Sequence, residues 1–290
     1  MSLLKSKFFL PMLFLFFMFS CNKDKEIPDK SYPPSSHLVL KFKFDSLQDR
    51  LDNQGAISNV PIGFGGYSPD INLISIGLIE LLTDSTTVFG NGYRIMSGNG
   101  ATIANDTGYS CCWDAFDNDF QYTATLSANQ TPNTFRWIRI YFTYENFNIK
   151  FLHQGIVYDG TVSAFLARKA FTNHFQIKDS IYNTYSVKTN GEWFLEVDTP
   201  GYGVVLHDTA STTAPNVLYS SLLVPSGGCI VTCLIDTPLY LGSSQTKTIT
   251  ISMSTNKSFE WVDHSDPAFF EPFDGDTIVD VGIRGLRVIQ

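Results

Sequence analysis

The chain has 290 residues, a formal net charge of −8 and an aromatic content of 14%. The aromatic content excludes a largely disordered chain, and an acidic balance without a basic stripe argues against nucleic acid as a partner. Charged residues make up only 17%, whereas Phe and Tyr number 24 and 13. Aromatic and β-branched side chains fit the pleated, half-buried surface of a sheet, so the composition favours β-strands.

The first 21 residues have the pattern of a lipoprotein signal peptide. Lys5 and Lys7 precede an apolar run at residues 8–19, which ends at Ser20 and Cys21. The run of about 12 residues is shorter than the roughly 20 that a membrane-spanning helix needs. A basic start, a short apolar core and a small residue before the cut are what a signal peptidase recognises. We predict cleavage after Ser20 and lipidation of Cys21 with palmitate-type chains; the alternatives are an ordinary signal peptide and an uncleaved anchor.

The segment after the predicted cut has the composition of a flexible tether. A charged cluster runs from Lys23 to Glu26, and residues 27–36 contain three prolines and three serines without an apolar period. Such a composition suits an extended, solvated linker. The predicted organisation is therefore a signal peptide at 1–20, an acylated cysteine and linker at 21–36, and one folded β region at 37–290.

Strand patterns then follow one another to the C-terminus. Residues 38–44 alternate, residues 71–82 form a strongly apolar run, and residues 135–151 hold two aromatic-rich segments on either side of Glu145 and Asn146, which predicts a hairpin there. Further strand patterns lie near 155–158, 161–168, 174–178, 192–197, 203–206, 229–235, 246–253 and 278–289. No stretch combines helix caps with a 3.6-residue period. The prediction is an all-β chain, either one antiparallel β-sandwich or two packed sandwiches.

Four cysteines remain in the predicted mature chain: Cys111, Cys112, Cys229 and Cys233. An even number of cysteines in an exported protein favours disulfides. A bond between neighbours is strained, so a link between the 111/112 pair and the 229/233 pair is the favoured solution. That link would close a loop of about 120 residues and stabilise the fold by up to about 5 kcal/mol. Free thiols and a metal site are the alternatives.

An acidic loop near the C-terminus is the candidate metal site. It contains Asp263, Ser265, Asp266 and Glu271, and Ca²⁺ takes six to eight oxygen ligands from such side chains. The spacing resembles that of short calcium loops. Ala268, however, stands where those loops need a glycine for their sharp turn. The alternative is a solvated acidic loop that closes the last hairpin, so Ca²⁺ is the one cofactor candidate and no cofactor is certain.

Two tryptophans are candidate binding residues. Trp113 and Trp261 lie beside acidic stretches and could present an aromatic platform to a sugar, whereas Trp137 and Trp193 lie within strand patterns and are expected in the core. Burial beneath the loops is the alternative for the first pair. No catalytic residue is predicted, because the chain has no Gly-x-Ser-x-Gly or His-Glu-x-x-His motif.

Three segments stand out as sequence motifs: Lys-Phe-Lys-Phe-Asp at 41–45, Ser-Thr-Asn-Lys-Ser-Phe-Glu-Trp at 254–261 and Val-Asp-Val-Gly-Ile-Arg-Gly-Leu at 279–286. They look like segments of a family of Bacteroidota-type surface lipoproteins. The charged cluster after Cys21 is also similar to the export signal of such lipoproteins. The resemblance covers residues 38–290 and implies a lipid-anchored protein of the outer membrane at the cell surface, with the periplasmic face as the alternative. It implies no activity.

The predicted function is that of a membrane-anchored envelope lipoprotein with a non-enzymatic binding or structural role. Its expected partners are the membrane, through the lipid at Cys21, and a glycan or an envelope protein. Two alternatives stay open: a surface glycan hydrolase that uses paired carboxylates, and a metal-binding accessory lipoprotein.

Overall fold

The structure, a computed structural model, describes residues 35–52, 56–97, 109–110, 115–117, 119–127, 134–167, 169–171, 174–183, 187–199, 204–210, 228–242 and 244–290. Within these ranges all regular structure is β-strand, and no helix occurs. This confirms the predicted all-β fold class. Accordingly, these ranges contain no helix with the length and hydrophobicity needed to cross a membrane.

The bounds of the strands are β1 (Ser35–Asp45), β2 (Phe64–Tyr67), β3 (Asp70–Leu82), β4 (Tyr93–Ser97), β5 (Tyr109–Ser110), β6 (Ala115–Phe116), β7 (Gln121–Ser127), β8 (Thr134–His153), β9 (Ile156–Phe165), β10 (Lys169–Phe171), β11 (His174–Gln176), β12 (Ile181–Asn183), β13 (Val187–Thr189), β14 (Glu192–Val197), β15 (Val204–Thr209), β16 (Cys229–Tyr240), β17 (Thr246–Ser254), β18 (Phe259–Val262), β19 (Thr277–Asp280) and β20 (Leu286–Ile289). Among the described residues, β8 is the longest strand, with 20 residues.

Two sheets pack face to face. The large sheet has the order β15-β14-β9-β8-β3-β4, with β16 also paired to β8 and β6 to β3, and the small sheet has the order β20-β17-β1-β7. Strand β8 is long enough for its first half to pair with β16 and its second half with β9. The sandwich is antiparallel except for parallel pairs such as β1 with β17.

The main apolar core lies between these two sheets. On β1, Leu38, Leu40 and Phe42 are buried while Lys41 and Lys43 are exposed, which is the alternation expected of a strand with one face in the core. The same core contains apolar side chains of β3, β8 and β17. The short sheet β19-β18-β2 adds its apolar side chains to this core.

A second apolar cluster covers the opposite face of the large sheet. Tyr144 of β8, Phe165 of β9 and Phe194 of β14 pack there with Phe175 of β11 and Tyr182 of β12. The central strands are therefore buried on both faces. This explains why residues 71–82 read as a continuous apolar run rather than as an alternating strand. The sequence left open whether the chain forms one sandwich or two packed sandwiches. The structure has one large sheet, with an apolar cluster on each of its two faces.

The predicted hairpin at Glu145 and Asn146 is wrong, because β8 runs through both residues without a turn. Asn146 is held within the strand by donating to Ser163 Oγ at 2.9 Å and to the carbonyl of Ile177 at 2.7 Å. The turn lies instead at Gln154 and Gly155, whose φ angles are 52° and 76°. Two successive positive φ angles are the geometry of a tight hairpin turn, and glycine adopts it readily.

Candidate functional site

Several predicted site residues lie outside the described residues. These are the lipidation site Cys21, the disulfide candidates Cys111 and Cys112, and the binding candidate Trp113. The lipidation of Cys21 and the platform role of Trp113 therefore stay predictions.

The other two cysteines are described and are free thiols. Cys229 is buried and Cys233 is partly buried, both on β16. Their Cα atoms are about 13 Å apart along the strand, well beyond the roughly 7 Å that a disulfide spans. The Cys233 thiol lies 3.1 Å from the carbonyl oxygen of Leu286. The predicted cross-link to the 111/112 pair finds no support among the described residues.

Burial also makes both thiols unreactive. Desolvation raises the pKa of Cys229 well above its usual value. Desolvation raises the pKa of Cys233 to about 12. Because the thiolate is the nucleophile and the metal ligand, neither cysteine has the character of a catalytic or metal-binding residue.

The polar side chains of the acidic loop at 263–276 form hydrogen bonds with other groups of the same loop. The Ser265 hydroxyl donates to Glu271 Oε2, and Asp266 Oδ1 accepts from the amide of Ala268 at 3.0 Å. Asp276 accepts from the amides of His264 and Glu271, at 3.0 and 2.8 Å. Among the described residues no three His, Cys, Asp or Glu side chains are grouped as metal ligands. The predicted calcium ligands Asp263, Ser265, Asp266 and Glu271 therefore find no support as a site.

Trp261 is not a surface platform, and that prediction is wrong. Its side chain is 1% exposed and packs against Phe259 and Phe270, with ring centroids 5.6 Å away in both cases. Strand β18 lies between β2 and β19, and Gly65 of β2 faces the indole so closely that an added Cβ would lie 2.1 Å from Cε2. Trp193 is buried as predicted, whereas Trp137 is partly exposed.

A polar cleft, which the sequence did not reveal, is the candidate functional site. Its volume is about 330 Å³, at the lower end of the range for small-molecule sites. It lies on the large sheet where the start of β3, the second half of β8, β9 and the end of β14 run side by side. The cleft is lined by Tyr67, Asp70, Asn148, Ile149, Lys150, Asp159, Lys178 and Asp198.

A row of hydrogen bonds crosses the four strands beside this cleft. Asn72 Nδ2 donates to Asn148 Oδ1 at 2.8 Å, and Asn148 Nδ2 donates back to Asn72 Oδ1 at 3.1 Å. The Thr161 hydroxyl lies 3.1 Å from Asn148 Oδ1 and 3.0 Å from Asp198 Oδ1, so it bridges the two by donating to either. The row holds amide and carboxylate groups in fixed positions, because their strands form one rigid sheet.

Two lysine–aspartate pairs stand next to this row. Lys150 Nζ lies 2.5 Å from Asp159 Oδ1, and Lys178 Nζ lies 2.7 Å from Asp198 Oδ2. The hydrogen bond that Lys150 donates to Asp159 raises the pKa of Lys150, and the hydrogen bond that Lys178 donates to Asp198 raises the pKa of Lys178. Both lysines are therefore ammonium ions at neutral pH, and each presents its remaining N–H donors to the cleft.

The loop that carries Lys178 is fixed from below by a buried carboxylate. Glu196, 4% exposed, accepts from the amide of Lys178 at 3.0 Å, from the amide of Ser180 at 3.3 Å and from the Ser180 hydroxyl at 2.9 Å. A buried carboxylate with three donors is well satisfied. Glu196 thus fixes the backbone of the loop that places Lys178 at the cleft.

A second group of charges lies on the opposite face of β8. Arg284 Nη2 is 2.5 Å from Asp280 Oδ2 and 3.4 Å from Glu260 Oε2, and Arg50 Nη2 donates to the same Glu260 oxygen. Glu145 is buried near Asp280, and its Oε1 has no hydrogen-bond partner. Desolvation raises the pKa of Glu145 well above its ordinary value, with Asp280 adding to the shift. With Glu145 neutral, the carboxylates of Glu260 and Asp280 are balanced by the guanidinium groups of Arg50 and Arg284.

The cleft has one local signal in the sequence. Asn146, Asn148 and Lys150 alternate with Phe147 and Ile149, which places polar groups on one face of β8. The remaining residues come from distant parts of the chain and carry no shared motif. Comparisons with protein-family models, with curated proteins and with solved structures find no match for this chain.

Proposed function

We propose that the protein is a lipid-anchored, non-enzymatic binding protein of the cell envelope, which holds a small saccharide in the polar cleft. The observation that carries this proposal is the row of fixed polar groups from Asn72 to Asp198, flanked by two lysine–aspartate pairs. Sugars present neighbouring hydroxyls that both donate and accept. Amide, carboxylate and ammonium groups held at fixed positions are complementary to such hydroxyls.

The pairing of the cleft carboxylates favours binding over hydrolysis. Glycoside hydrolysis relies on two carboxyl groups that flank the bond that is cut and act on it directly. Here Asp159 and Asp198 each form an ion pair with a lysine. No observation among the described residues favours the metal-binding alternative.

The cellular location is supported by the sequence alone. The lipoprotein pattern comprises the basic start, the short apolar run, Ser20–Cys21 and the tether-like composition that follows. The predicted linker end at residue 36 is two residues late, because Ser35 already belongs to β1. The acidic surface of the protein is not attracted to anionic lipid headgroups. An acyl chain on Cys21 would hold the protein at the membrane in spite of this. The membrane is thus the proposed partner of the N-terminus, and a saccharide is the proposed ligand of the cleft.

Palmitate labelling tests the anchor. In cells fed radiolabelled palmitate, we expect the wild-type protein to take up label and Cys21→Ala to lose it. Cys233→Ala, which changes a cysteine of the folded region, should stay labelled. Undiminished label in Cys21→Ala would contradict lipidation at this residue.

Ligand binding tests the cleft. Isothermal titration with a panel of mono- and disaccharides should find a binder, and the double substitution Asp159→Ala/Lys178→Ala should abolish its binding. Both substituted side chains are exposed, Asp159 by 65% and Lys178 by 41%, so the thermal midpoint should fall only slightly. A panel without any binder, or a double variant that binds as well as wild type, would contradict the proposed site.

A further inference from the structure

One carboxylate of the cleft has no partner in the described part of the chain. Asp70 opens β3, pairs through its backbone with Asn148 and lines the cleft. Its side chain is exposed, and no hydrogen bond or ion pair to another described residue engages it. The two lysines of the cleft are already paired with Asp159 and Asp198. The charged groups that line the cleft therefore sum to one excess negative charge. Asp70 is near enough to Lys150 to help raise its pKa, but it forms no ion pair with this lysine in the described part of the chain.

Tyr67 lies beside Asp70. Partial burial raises the pKa of Tyr67, the charge of Asp70 adds to the increase, and the charge of Lys150 opposes it, so the phenol is neutral and lies close to both charges. Tyr67 also packs against the main core, which holds its ring in place. A neutral aromatic ring next to a carboxylate is the combination that attracts an ammonium group, through the ring face and the negative charge together.

We propose that the ligand is an amino sugar with a free, protonated amine, which pairs with Asp70 and Tyr67 while its hydroxyls bond to the row at Asn148. This inference rests on the proposed function of the cleft and names its ligand class. A neutral sugar would leave Asp70 without an ion pair. An anionic sugar would be repelled by the excess negative charge of the cleft. An amine supplies the missing positive charge and forms a charge-assisted hydrogen bond.

A pair of disaccharides that differ only in their amines tests the proposal. The chitosan disaccharide, made of two glucosamine units, carries free amines, and N,N′-diacetylchitobiose carries the same amines in acetylated form. At a pH of about 6, below the pKa of an aliphatic amine, we expect the chitosan disaccharide to bind roughly tenfold more tightly, the ratio that one charge-assisted hydrogen bond provides.

The substitution Asp70→Asn removes the charge at constant size, and we expect it to abolish this preference. Asp236→Asn changes an exposed carboxylate on β16 outside the cleft and should keep the preference. Thermal melts of both variants check that each is folded. Salt should weaken the binding of the chitosan disaccharide to the wild type, since its amine pairs with an exposed charge.

The outcomes separate the ligand class from the cleft itself. Equal affinity for the two disaccharides, lost in Asp159→Ala/Lys178→Ala, would overturn the amine proposal and leave the binding function standing. A preference that survives Asp70→Asn would overturn the role of Asp70. Absence of binding by both disaccharides would overturn the amine proposal, while the wider saccharide panel decides the function of the cleft.

Discussion

Glu145→Gln should stabilise the protein at neutral pH, and the gain should grow as the pH rises. Glu145 is 1% exposed, its Oε1 has no hydrogen-bond partner, and desolvation, followed by the charge of Asp280, raises its pKa well above the ordinary value of 4.5. The folded protein therefore keeps a proton that the unfolded chain releases above pH 4.5. Glutamine is neutral at every pH and has nearly the same shape.

The sign of the pH dependence follows from proton counting. Between the pKa of the unfolded chain and the raised pKa of the folded protein, the folded state binds more protons. The free energy of unfolding then falls with increasing pH, by up to about 1.4 kcal/mol per pH unit for one group. Glu145→Gln removes this loss, so the difference between variant and wild type should widen from pH 5 upward at that slope.

Urea unfolding at several pH values measures this difference. The matched control is Glu196→Gln, which alters a buried carboxylate that accepts three hydrogen bonds. That variant should lose about 1–3 kcal/mol, because amide hydrogens would then face the donors of Lys178 and Ser180. A Glu145→Gln variant that is less stable than wild type at pH 8 would contradict this prediction. It would show that the Glu145 carboxylate is ionised and hydrogen-bonded in the folded protein.

Arg284→Met should cost about 3–5 kcal/mol of stability, the penalty for leaving a buried charge without its partner. The guanidinium of Arg284 pairs with Asp280 and also contacts Glu260, and all three side chains are nearly inaccessible to water. Methionine fills similar volume without the charge. Asp280 would then remain ionised in the core close to Glu145 and Cys229.

Denaturant unfolding measures this loss, with the neighbouring arginine as control. Arg287 pairs with Asp49 at the surface, where the two side chains are 61% and 47% exposed, so Arg287→Met should lose about 1 kcal/mol or less. Adding Asp280→Asn to Arg284→Met should recover part of the loss, because asparagine removes the stranded charge and still accepts from the amide of Gly282. Equal losses for the two arginine variants would contradict a buried ion cluster.

Much of the fold can be predicted from local patterns. The alternation of Leu40 and Phe42 with Lys41 and Lys43 indicates a strand with one face in the core, and β1 has that form. The apolar run at 71–82 indicates a strand buried on both faces, and β3 has that form as well. These patterns succeed because successive side chains of a strand point to opposite faces of the sheet. Burial of one face gives alternation, and burial of both faces gives a continuous apolar run.

The remaining features depend on partners that are distant in sequence. Glu145 and Asn146 look like turn residues, yet Asn146 finds Ser163 and Ile177 as partners on neighbouring elements and stays within β8. Trp261 adjoins an acidic loop in sequence, but Gly65 opposite it leaves room for the indole in the core. The cleft combines residues from Tyr67 to Asp198. Strands β3, β8 and β9 bring part of them together in the large sheet, whereas Tyr67 comes from β2 and Lys178 from the loop after β11.

Mapping a bound saccharide by amide NMR tests the central claim most directly. The isotope-labelled protein is titrated with the tightest-binding saccharide of the panel, and chemical-shift changes are followed along the chain. We predict changes centred on Asp70, Asn148, Lys150, Asp159 and Asp198. Changes centred on another surface, or no change at saturating concentrations of any saccharide, would contradict a saccharide site in this cleft.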